Sequence, residues 1–137
     1  MKEYKFLAHT ADMRLQVQAT TLEELFSAAL EGMNTIIKPE AHACTKGDVE
    51  KTLILSSSDS TSLLIDFLSE VLTLSVIHKA IFFHVSFELL SNLRLKAILT
   101  GMHVSSFNED IKAVTYHNAQ VVRGPDGVYQ VTITFDI

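Results

Sequence analysis

Apolar residues recur at every second position in two runs near the start of the chain. Tyr4, Phe6 and Ala8 form the first, and Met13, Leu15, Val17 and Ala19 the second. Period-two alternation predicts strands with one buried face. His9-Thr10-Ala11-Asp12 makes the polar connection between them. The period then lengthens. Leu22, Leu25, Phe26, Ala29, Leu30 and Met33 fall at i, i+3, i+4 spacing, the stripe of a core-facing helix. Thr20 or Thr21 can cap it, with Glu23 or Glu24 three residues on to complete a capping box.

Residues 34–48 carry Pro39 and Gly47 and no periodicity, which predicts a loop. A strand follows at 49–55. Ser56-Ser57-Ser58-Asp59-Ser60 then supplies the turn and cap of a second helix, whose face runs Leu64, Phe67, Leu68, Val71, Leu72 and Ser75 to about Ile77. Alternation returns in Ile81, Phe83, Val85, Phe87 and Leu89 and again in Leu93, Leu95, Ala97 and Leu99, a hairpin about Ser91-Asn92. A last pair of strands is predicted at 111–122 and 128–137, joined by Gly124-Pro125-Asp126-Gly127. The order ββαβαββββ predicts an α+β fold in which two helices pack on one face of a largely antiparallel sheet. This two-layer sandwich is one domain over residues 1–137.

Composition narrows the function. Hydrophobic residues make up 47% of the 137 positions, enough for a proper core. The net charge is −5 and the lysines and arginines are scattered, which argues against strong direct nucleic-acid binding. Cys44 is the lone cysteine, so no internal disulfide forms and a reducing cytoplasm is expected. The first twenty residues lack the apolar core of a signal peptide. The run 63–77 is interrupted by Asp66 and Glu70 and reads as a buried helix, not a membrane span. Exposed edge strands would permit dimers without demanding them, so oligomeric state stays open.

The six histidines are not spaced as metal ligands or as part of a Ser-His-Asp set. The chain end is more informative. A strand pattern runs through Phe135 into Asp136-Ile137, placing a carboxylate side chain beside the main-chain carboxylate of Ile137. If that strand lies beside the segment bearing Asp12, three oxygen-rich groups converge. Such donors suit hard cations such as calcium or magnesium. A second polar island is Lys112-Ala113-Val114-Thr115-Tyr116-His117. Alternation puts Lys112, Val114 and Tyr116 on one strand face and Thr115 with His117 on the other. Read by spacing alone, that strand is more readily an ordinary solvated face with a tyrosine packing on it, since exposed antiparallel faces are ordinarily polar.

Taken together, these features resemble the archease family, small proteins that assist the tRNA-splicing RNA ligase. The resemblance is carried by Tyr4 to Asp12, Thr21-Leu22-Glu23-Glu24-Leu25-Phe26, Lys112 to His117 and Asp136-Ile137, in that order along the whole chain. It implies a non-catalytic partner protein that lets the GTP-dependent ligase load guanylate onto its own histidine and turn over repeatedly in tRNA splicing and RNA repair. It also implies a divalent-metal site at Asp12, Asp136 and Ile137, for calcium with magnesium or manganese as alternatives. Lys112 would face the partner or its nucleotide, and His9, Tyr116 and His117 are further partner-facing candidates. The chain departs from the pattern at Ala8, where many relatives have an acidic residue, at Arg14, where they have glycine, and at Ile65-Asp66-Phe67. Two other functions fit the residues less well. One is a stand-alone metal-dependent hydrolase with His9 or His117 as base; the other is a chaperone-like binding module with an apolar client patch.

Overall fold

The computed structural model describes residues 1–7, 12–40 and 46–137. His9 of the first polar island, and His42 and Cys44, lie outside the described residues. Two strands open the chain, β1 (Lys2–Leu7) and β2 (Asp12–Ala19), followed by α1 (Leu22–Ile37), β3 (Val49–Ser56) and α2 (Ser60–His78). The rest is β4 (Ala80–Leu90), β5 (Arg94–His103), β6 (Ala113–Thr115), β7 (Val122–Arg123) and β8 (Tyr129–Asp136). The α+β class holds, with two helices and antiparallel strands throughout.

The strands form two sheets where one was expected. The first runs β1-β2-β8-β6 with β7 also on β8; the second runs β3-β5-β4. Alternation marks each strand's buried face but carries no information on which strands pair, so the division was not visible in the pattern. Both sheets turn apolar side chains toward the helices: Leu15, Val17, Val131, Ile133 and Phe135 from one, Leu53, Leu95, Ala97 and Leu99 from the other, all buried. Helix α1 packs on β1 and β2 of the first sheet and β4 of the second, while α2 packs on β3, β4 and β5 and reaches β6. Phe26 of α1, Phe67 of α2 and Phe87 of β4 join these layers, with ring centroids 5.6–6.1 Å apart. Burying three such rings dominates the local energetics.

Both helix starts follow the sequence. Thr21 is the N-cap of α1 and its hydroxyl accepts from Glu24 N–H, while Asp59 caps α2 by accepting from Ser62 N–H at 2.7 Å. Where β4 bulges between Phe82 and His84, buried Asn34 donates from Nδ2 to the Phe82 carbonyl at 2.9 Å. A bulge disrupts the ladder, and the asparagine occupies the freed acceptor. Gly32 lets α1 approach β2: a Cβ there would sit 2.4 Å from Leu15 Cδ2.

Three expectations are corrected. Tyr4 and Phe6 stay 37% and 40% exposed, because β1 is an edge strand and only its β2 side is covered. The strand expected at 111–122 is three residues of β6 and two of β7, with a turn between. Ile54, Val76, Ile77 and Leu93 are each more than half exposed, so core faces do not use up all the apolar residues.

Candidate functional site at the β2–β8–β6 edge

Strand β8 lies between β2 and β6, and its last residue is where they meet. Asp136 is the register partner of Asp12 on one side and of Ala113 on the other. Directly opposed residues of an antiparallel ladder share a face, with Cβ atoms roughly 4.5–5.5 Å apart. Asp12 and Asp136 therefore stand side by side on the face away from Phe135, Met13 and Val114, which point to the core. The pair is held from within. Phe135 is fully buried, and the side chain of Ile137 packs against the core beyond it. Lys112 N–H donates to the Asp136 carbonyl at 2.7 Å, tying the start of the second island to the end of β8.

Two carboxylates in register repel unless a cation balances them. Arg14, two positions from Asp12 on the same strand face, lies diagonal to Asp136, and its Nε is buried without a hydrogen-bond partner among the described residues. Sequence reasoning did not include this guanidinium in the site; its parity with Asp12 was the available signal. Among the described residues no group of three or more His, Cys, Asp or Glu side chains is arranged for a metal ion. Asp12 and Asp136 supply two donors, so a divalent ion here would draw a third oxygen from the main chain of Ile137. An all-oxygen set of this kind suits a hard cation.

The second island is only part strand. Val114 is buried, Thr115 Oγ1 donates to the Thr134 carbonyl at 3.2 Å, and the strand then stops. Tyr116 to Ala119 form a turn closed by Ala119 N–H donating to the Tyr116 carbonyl at 3.1 Å. Asn118 has φ 56°, a left-handed conformation that asparagine tolerates. Lys112, Tyr116 and His117 are all exposed. The Tyr116 ring is 56% exposed, yet its hydroxyl donates inward to Asp66 Oδ1 on α2. Asp66 also accepts from Ser57 Oγ at 2.6 Å through its other oxygen. The carboxylate beside it, then burial, holds the Tyr116 phenol above its ordinary range. Past the turn, Val121 N–H donates to Thr61 Oγ1 of α2 at 2.9 Å. Neither Asp66 nor Thr61 was legible from pattern as part of the site, although a carboxylate between Ile65 and Phe67 in a core helix demands a partner.

A family model described as the Archease protein family (MTH1598/TM1083) matches residues 4–137. The chain belongs to the archease family. Protein archease of Methanosarcina mazei is 32% identical over 145 residues, covering 99% of this chain and 97% of that one. Protein archease of Pyrococcus furiosus is 31% identical over 147 residues and the full length of both. The solution structure of Methanobacterium thermoautotrophicum protein 1598 superposes with a TM-score of 0.79 at 24% identity, over 98% of each chain. The crystal structure of an archease from Thermotoga maritima, described as a possible chaperone, gives 0.62 at 20%, over 97% of this chain and 96% of that one. At those identities the two structures speak for the archease fold.

Proposed function

We propose that this archease-family protein is an activator of the GTP-dependent tRNA-splicing RNA ligase. It promotes guanylation of the ligase histidine and repeated turnover, and does not itself catalyse the joining. The observation that carries the reading is the meeting of both sequence islands at Asp136, through its register with Asp12 and Ala113. One exposed edge thus offers an acidic pair, Lys112 and the Tyr116–His117 turn to a partner. The net charge of −5 favours approach to a basic, RNA-binding enzyme, since complementary charge speeds association. Asp12, Asp136 and the main chain of Ile137 would hold a divalent ion, calcium by donor type, which would neutralise the pair and brace the strand ends. The role places the protein with the ligase in the cytoplasm.

The test is GTP-dependent guanylation and multiple-turnover ligation by the cognate ligase, with and without this protein. Stimulation that disappears in Asp12→Ala and Asp136→Ala supports the reading and ties it to the acidic pair. No stimulation under any divalent-ion condition refutes it. Phosphatase or nuclease activity of the purified chain, lost in Asp12→Ala, would replace it with the hydrolase.

A further inference from the structure

The turn that carries Tyr116 and His117 is gripped from α2 at both ends. Asp66 accepts from the Tyr116 hydroxyl just before the tip, and Thr61 accepts from Val121 N–H just after it. Asp66 is itself steadied by Ser57 Oγ at the end of β3, so the grip connects β3, α2 and the turn. Between these ends the tip is His117-Asn118, closed by the Tyr116 carbonyl and Ala119 N–H. The side chains at the tip pair locally, with Asn118 Nδ2 3.2 Å from His117 Nε2. The tip itself has no hydrophobic anchor, because Tyr116, His117 and Asn118 are all exposed, whereas Ala119 and Val121 pack against the core beyond it. The placement of Tyr116 and His117 at the tip therefore rests on these few polar contacts.

We infer that Asp66 is a positioning residue. Its bond to Tyr116 sets the turn in its docking shape before the partner arrives. The inference rests on the activator reading, in which this turn meets the ligase. The Tyr116 hydroxyl then serves inward as an anchor, while the ring face and His117 serve outward as the contact. Ordering a loop on binding costs affinity, and a preformed loop avoids that cost. Losing the anchor should weaken docking without altering what the docked complex does.

The experiment measures ligase guanylation against concentration of this protein, for the unaltered chain, Asp66→Ala, Tyr116→Phe, the double variant and Asp66→Asn. The expected result is a rise of about tenfold in the half-maximal concentration for either single change, with the maximum unaltered. The double variant should be no worse than either single one, because both remove the same bond. Asp66→Asn should retain near-normal docking, since its amide oxygen still accepts from the phenol. Ultraviolet titration of the tyrosines should show the phenol that ionises above the ordinary range moving down in Asp66→Ala. Unchanged half-maximal concentrations, or an unmoved phenol, would overturn the inference. So would a lower maximum in Tyr116→Phe with Asp66→Ala normal, which would give the hydroxyl a direct role on the partner. No stimulation by the unaltered chain would remove the activator reading, and this inference with it.

Discussion

Replacing Asp136 by asparagine should stabilise the protein in the absence of divalent ions. Asp12 and Asp136 are register partners on one sheet face. With their charges about 5 Å apart, Coulomb repulsion is roughly 0.8 kcal/mol at the permittivity of water and roughly 3 kcal/mol at an effective value of 20. Asp136 is exposed and Asp12 half-buried, which favours the lower figure, and Arg14 on the same face offsets part of it. The net gain from Asp136→Asn is therefore about 0.5 kcal/mol, a rise in Tm of roughly 2 °C for a domain of this size. Calcium should reverse the order. An ion at a hundred times its dissociation constant stabilises the folded state by about 2.7 kcal/mol, and the variant would forfeit most of that. Thermal unfolding by circular dichroism, in chelator and in calcium, measures all four values. A variant less stable than the parent in chelator would refute the repulsion argument. Equal shifts by calcium in both proteins would show that the pair does not hold the ion.

Phe67→Ala empties the junction of both helices and β4 and should cost about 3–5 kcal/mol in denaturant unfolding. Asn34→Leu leaves the Phe82 carbonyl buried and unpaired, so a loss of about 1–3 kcal/mol is expected, read in the same way. The Asp48 carboxyl is held below its usual range, first by the backbone N–H of His103 and further by the His103 ring. A depressed folded pKa stabilises above the ordinary carboxylate range, and that contribution is lost as pH falls through the folded value. Stability curves below about pH 4 should thus fall less steeply in Asp48→Asn than in the parent.

Much of the fold could be read from local pattern, because most strands bury a face and each helix announces its cap. Met13, Leu15, Val17 and Ala19 were placed on one face, and β2 buries that face. The neighbourhood of Asp12 and Asp136 was legible as a conditional: both sit at strand ends, and only pairing had to be supplied. What local pattern could not convey was partnership at a distance. The division into two sheets depends on which strands pair, and alternation is silent on that. The 111–122 segment alternates well enough to read as one strand. The Tyr116 hydroxyl and the Val121 N–H instead find partners on α2, at Asp66 and Thr61, and those contacts win over continued pairing. The exposed aromatics of β1 follow from its place at an edge, a property of topology and not of composition.

The acidic pair joins residues 12–19 to residues 129–136, whereas β3, α2, β4 and β5 come from the single stretch 49–103. Closing a long loop carries more entropy loss than closing a short one, and long-range strand pairing is correspondingly slow. The β4–β5 hairpin with its helix can assemble early, and the β2–β8 ladder closes late. Pulse-labelled hydrogen exchange should protect Leu95, Ala97 and Leu99 before Leu15 and Val17; the opposite order would contradict this. No partly folded molecule then brings Asp12 and Asp136 together, and a chain severed between them has lost the tether that makes their pairing cheap. A partner that docked at this edge would therefore meet it only in molecules whose β2–β8 ladder had closed.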